Sequence, residues 1–87
     1  MTKRSIKVRL EDGLDARPVA LLVQEASKYE SNIYIEVDDK RINAKSIMGI
    51  MAGGISQGTT IEIQAEGDDE TEAVDALVQL INDKFGE

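Results

Sequence analysis

Two residue types are missing from this chain altogether: it has no cysteine and no histidine. Without cysteine there is no disulfide framework and no thiolate zinc site. Without histidine no imidazole can serve as acid, base, nucleophile or metal ligand, which removes most transition-metal sites and every histidine-based catalytic scheme. The lack of cysteine fits the cytoplasm. Long apolar runs are absent too, and nothing approaches the roughly 20 residues of a membrane span. Positive charge is scarce. Ten Lys and Arg stand against 17 Asp and Glu, for a net charge of −7. Such an acidic chain is not expected to touch nucleic acid directly, since the phosphate backbone calls for a basic face. Lys3, Arg4, Lys7 and Arg9 crowd the first ten residues, but no apolar stretch follows them, so no secretion signal is expected there.

What is present has globular composition. Of the 87 residues 41% are hydrophobic and 31% charged, which is inconsistent with a disordered chain. That length suits a single domain over residues 1–87. A domain so short buries only about 60–65% of its unfolded surface. Its core is thin, a deep enclosed active site is not expected, and the chain is not expected to be an enzyme.

The periodicity changes along the chain. Ile6, Val8 and Leu10 alternate with Lys7 and Arg9, which predicts a half-buried strand over Ser5 to Leu10, with Glu11-Asp12-Gly13 as a turn. From Ala16 the spacing is helical: Ala16, Val19, Ala20, Leu22, Val23 and Ala26 share one face. Asp15 stands where an N-cap belongs and Pro18 lies in the first turn. This helix should fade near Lys28. Ile33, Ile35 and Val37 predict a second strand, Asp38-Asp39 a tight hairpin turn, and Lys40 to Asn43 a third strand. Ser46 then reads as the cap of a very short helix carrying Ile47, Met48, Ile50 and Met51, ended by Gly53-Gly54. Ile61, Ile63 and Ala65 predict a fourth strand. After Gly67-Asp68-Asp69, a last helix is striped by Ala73, Val74, Leu77, Leu80 and Ile81, with acidic residues early and Lys84 at its end. The order is β-α-β-β-α-β-α. The economical packing is an α+β fold in which a four-stranded antiparallel sheet carries the helices on one face.

Two helix starts stand out as candidate sites, Gly13-Leu14-Asp15-Ala16-Arg17-Pro18 and Asn43-Ala44-Lys45-Ser46-Ile47-Met48-Gly49. Unpaired N–H groups at a helix start favour an anion. The plain readings come first: Asp15 and Ser46 are ordinary caps and Arg17 is a solvated charge. Ile47-Met48-Gly49-Ile50-Met51 is less easily explained. A short helix apolar nearly all round is either sunk in the core or partly exposed, and exposed Met and Ile on a small protein make a docking patch.

Gly13-Leu14-x-Ala16-Arg17-Pro18 together with Lys45-Ser46-Ile47-Met48-Gly49 resembles the HPr family, the small phosphocarriers of the sugar phosphotransferase system. The resemblance spans nearly the whole chain. It implies the HPr-like open-faced β-sandwich. In the family motif a histidine stands between Leu14 and Ala16 and takes phosphate from enzyme I. Here the former carrier position holds Asp15, so the usual carrier chemistry is not available. Loss of that histidine with the serine kept is similar to the catabolite-repression branch, Crh, as are Val8-Arg9-Leu10 and Val23-Gln24-Glu25-Ala26, although that branch has glutamine where this chain has aspartate.

The resemblance implies that Ser46 is phosphorylated from ATP by HPr kinase/phosphorylase. The phosphoprotein would then act as corepressor of catabolite control protein A in carbon catabolite repression. Ile47, Met48 and Met51 would supply apolar contact, with Arg17 and Lys45 at the charged rim. No cofactor and no metal is implied. Two alternatives stay open: a phosphocarrier using Asp15, and an unphosphorylated modulator of a metabolic enzyme such as methylglyoxal synthase. The resemblance also allows a homodimer made by exchanging the first strand.

Overall fold

The computed structural model describes residues 1–9 and 16–83. The elements follow in the order β1 (Thr2–Lys7), α1 (Ala16–Ala26), β2 (Asn32–Val37), β3 (Lys40–Asn43), α2 (Ile47–Ala52), β4 (Thr60–Glu66) and α3 (Glu70–Asn82). The strands form one antiparallel sheet in the spatial order β1-β4-β2-β3. β4 fills the slot between β1 and β2, so the last strand closes the sheet.

Register and burial together show which face is covered. Ile6 lies opposite Ile61, Ile33 opposite Ala65, Ile35 opposite Ile63 on one side and Ile42 on the other. All of these are buried. The alternate positions, among them Lys3, Ser5, Lys7, Glu36 and Arg41, are exposed. One face therefore packs on helices and the other meets solvent, which is what strict period-two patterning encodes. α3 lies against β4, β1 and β2, α2 against β3, and α1 against α2 and α3. Val19, Leu22 and Ala26 of α1 and Ala73, Val74, Leu77, Val78 and Ile81 of α3 complete the core. Each large side chain so buried contributes about 1.5–3 kcal/mol.

The solvent face closes over itself. Gln64 is 3% exposed although it sits on that face. Its amide donates to Glu36 Oε2 and Glu62 Oε1, both at 2.7 Å. Those two carboxylates are direct cross-strand neighbours, and like charges so placed repel. The amide between them offsets this. Alongside, the Arg41 guanidinium lies 3.7 Å from the Tyr34 ring centre.

Two details depart from the sequence expectation. β1 begins at Thr2 and ends at Lys7 rather than running from Ser5 to Leu10. Val8 still donates its N–H to Thr59 O at 2.9 Å, and Leu10 lies outside the described residues. The early start is held by polar contacts: Thr2 Oγ1 donates to Glu70 Oε2 at 2.7 Å and Arg4 pairs with Asp75 at 2.9 Å. Apolar spacing carries no trace of them. The second detail concerns Gly53-Gly54. Gly53 is right-handed, with φ −70°, and Gly54 alone takes the left-handed turn, at φ 64°. Gly53 serves close packing instead, since a Cβ there would lie 2.6 Å from Ile42 Cδ1. The Asp38-Asp39 hairpin has φ of 50° and 66°, as a two-residue turn matched to strand twist requires. Among the described residues no helix is long and apolar enough to cross a membrane.

Candidate functional site

The second helix start is built by successive backbone and side-chain bonds after β3. Asn43 Oδ1 accepts from Lys45 N–H at 2.8 Å, and Asn43 O accepts from Ser46 N–H at 3.1 Å. This Asx-type turn reverses the chain and sets Ser46 in extended conformation, φ −113° and ψ 110°. Ser46 then caps α2 twice. Its carbonyl accepts from Ile50 N–H and its Oγ from Gly49 N–H, each at 3.1 Å. Glycine at 49 suits this spot, because a Cβ there would lie 3.2 Å from Ser46 Oγ. The hydroxyl is half-buried and held in one place by the helix it starts.

α2 divides its apolar residues. Ile50 is fully buried and anchors the helix, whereas Ile47 is 46%, Met48 84% and Met51 47% exposed. Six residues make fewer than two turns, so three apolar side chains have nowhere inward to go. They form an apolar patch that begins at the residue after Ser46. Exposed large hydrophobic residues elsewhere among the described residues reduce to Met1.

The charged candidates fall in different settings. Lys45 is only half-exposed, and its ammonium donates to Tyr29 O at 2.8 Å. It therefore ties the exit of α1 to the start of α2, a fixed position that a surface lysine does not ordinarily keep. Tyr29 is itself held, its hydroxyl donating to Glu25 Oε2 at 3.4 Å. Partial burial, then the Glu25 carboxylate, raises the Tyr29 phenol above its ordinary value and keeps it protonated. Arg17 is exposed on the first turn of α1, the helix that packs beside α2. Asp15 and the rest of the Gly13-Leu14-Asp15 segment lie outside the described residues, as does Lys84.

The site thus brings together Ser46, Ile47, Met48 and Met51 on one short element, with Lys45 at its root. Among the described residues it has no nucleophile–base pair: the Ser46 hydroxyl is engaged as a cap. Among the described residues no cluster of three or more Asp or Glu is arranged to hold a metal ion. Sequence reasoning missed the Lys45–Tyr29 tie, which joins positions 16 apart along the chain with no shared motif.

The chain as a whole is similar to known proteins. Residues 2–83 match the family model for the PTS HPr component phosphorylation site. A similar curated protein is the HPr-like protein Crh of Halalkalibacterium halodurans, 51% identical over 81 residues, covering 93% of this chain and 96% of that protein. A crystal structure of HPr from Thermoanaerobacter tengcongensis is 56% identical, covers 100% of this chain and 98% of its own, and superposes with a TM-score of 0.97. A crystal structure of Crh from Bacillus subtilis, in which a swapping domain makes a dimer, is 44% identical with 97% of each chain covered and a TM-score of 0.77.

Proposed function

This chain belongs to the HPr family, and from that premise we propose that it is a regulatory member: a single-domain cytoplasmic protein, not an enzyme, switched by phosphate on Ser46. HPr kinase/phosphorylase adds the phosphate from ATP. The phosphoprotein then binds catabolite control protein A as its corepressor. Identity alone does not choose a branch, since the HPr of T. tengcongensis and the Crh of H. halodurans are similar to this chain to nearly the same degree. Residue 15 bears on it more directly. The chain has no histidine, and its former carrier position is Asp15.

The observation that carries the reading is the exposed Ile47, Met48 and Met51 patch beginning directly at Ser46. Phosphorylation adds about −1.5 to −2 charge and several acceptor oxygens. Ser46 Oγ already accepts from Gly49 N–H, and the cap lies outside the core. A phosphate there changes the surface and leaves the fold intact. A basic patch on the repressor reads the new charge, while the apolar side chains supply contact area. Arg17 and Lys45 stand at the rim. The patch is also exposed without phosphate, which favours a second role for the unphosphorylated protein as modulator of a metabolic enzyme such as methylglyoxal synthase.

Intact mass after parallel incubations tests this. One reaction contains HPr kinase/phosphorylase and ATP, the other enzyme I and phosphoenolpyruvate. The expected result is one phosphate in the kinase reaction, none in a Ser46→Ala variant, and none from enzyme I. Modification by enzyme I would make Asp15 a phosphocarrier and overturn the regulatory reading.

A further inference from the structure

Every sulfur atom of this chain is a methionine thioether, since there are three methionines and no cysteine. All three are exposed, Met48 at 84%, Met1 at 51% and Met51 at 47%. Methionine ordinarily fills gaps in cores, and here none does. With no thiol to react first, these thioethers are the groups most open to two-electron oxidation. Met48 and Met51 lie three positions apart on α2, hence side by side on its surface. Met1 sits elsewhere, with its amine 3.2 Å from Glu70.

We propose that Met48 and Met51 are a reversible oxidation site that switches the α2 docking surface off, opposite in sense to the phosphate on Ser46. The oxidant is a hydroperoxide. A sulfur lone pair attacks one peroxide oxygen, the S–O bond forms as the O–O bond breaks, and the proton passes to the departing oxygen. With hydrogen peroxide the products are the sulfoxide and water, sulfur having given up two electrons. A dithiol-dependent methionine sulfoxide reductase reverses the step, supplying two electrons and two protons and releasing the oxygen as water.

The consequence follows from where the sulfurs are. A sulfoxide is a strong acceptor, and burying it against an apolar partner surface with no donor opposite is unfavourable. Both side chains lie outside the core, and α2 is anchored by the fully buried Ile50. Oxidation therefore alters docking and spares the fold. The surface then carries two inputs on adjacent residues, phosphate favouring association and oxygen on sulfur opposing it. The effect on binding rests on the docking role proposed above; the oxidation itself rests on exposure alone.

The test uses the full chain phosphorylated on Ser46, treated with hydrogen peroxide, with peptide mass mapping to place each added oxygen. Affinity for catabolite control protein A is measured before oxidation, after it, and after reductase treatment. The expected result is a loss of about tenfold or more that the reductase restores. A Met48→Leu/Met51→Leu variant, which conserves volume, should have the same affinity before and after peroxide, whatever that affinity is, although Met1 is still oxidised. Unchanged affinity after complete conversion of Met48 and Met51, or equal peroxide sensitivity in the double variant, overturns the proposal. If the reduced phosphoprotein fails to bind the repressor, the corepressor reading falls. The oxidation switch is then decided on the rate of Ser46 phosphorylation by HPr kinase/phosphorylase, which should drop several-fold on oxidation and refutes it by staying the same.

Discussion

The carboxylate of Asp69 stands in the cap position of α3 yet makes no side-chain bond to that helix. It reaches across to the exit of α1 instead, accepting from Glu30 N–H at 2.9 Å, Ser31 N–H at 3.0 Å and the Ser31 hydroxyl. Gly67 permits the approach: at φ 153° it packs so close that a Cβ would lie 2.8 Å from Ser31 Cα. The hydrogen bond from the Ser31 hydroxyl, then that from Glu30 N–H, hold the Asp69 carboxyl below its ordinary 3.8. Glu70 beside it is held below 4.5, first by the Thr2 hydroxyl and then by the terminal amine. A carboxyl with a depressed folded pKa stabilises the fold above its unfolded value, and that stabilisation is lost as pH falls through the folded value. For Asp69 the window opens below about 3.8. An Asp69→Asn variant should unfold at lower urea than the parent at pH near 7, and the gap should narrow steadily below pH 4 as the parent's carboxyl is protonated. Urea midpoints followed from neutral to strongly acid pH check this. A gap of constant width would mean that Asp69 acts through shape and not through charge.

At the scale of elements, α2 depends on its cap more than a longer helix would. Six residues leave few internal bonds, and Ser46 supplies one of the missing acceptors. Ser46→Ala should cost about 1 kcal/mol, seen as a thermal midpoint lower by roughly 4–8 °C, while Ser46→Asp, also a good cap, should stay near the parent. Calorimetry of both variants checks it, and a Ser46→Asp loss equal to that of alanine would rule out the cap as the cause. The same comparison separates lost folding from lost phosphate in any Ser46→Ala experiment. Ser46 was legible in the sequence because a cap needs only local chemistry. So were β2, β3, β4 and the stripes of α1 and α3, each written in apolar spacing. β1 was misplaced because its first residues face Glu70 and Asp75 from across the fold. The Asp69–Ser31 clamp and the burial of Gln64 were invisible for the same reason, being polar contacts between distant segments. In the site, the patch was legible as composition, and the division between buried Ile50 and exposed Met48 needed the fold.

For the whole molecule, β1 is the element whose allegiance is open. It is an edge strand, bound to β4 through six register pairs and to α3 through Thr2–Glu70 and Arg4–Asp75. All of these contacts are preserved if β1 is supplied by a second copy. The closed and exchanged forms thus make the same β1 contacts, and mass action decides between them. As an edge strand whose contacts a second copy could supply, β1 is expected to exchange at high concentration. Ser5 and Glu62 are direct cross-strand partners on the solvent face, at a Cα separation of about 4.5–5.5 Å that a disulfide can span. The chain has no cysteine of its own to interfere. A Ser5→Cys/Glu62→Cys variant, oxidised and run without reductant, should give linked monomer in dilute solution and a growing share of doubly linked dimer as the protein is concentrated before oxidation. Linked monomer alone at every concentration would show that β1 stays with its own chain. A share of linked dimer that does not change with the protein concentration before oxidation would mean that mass action does not set the balance.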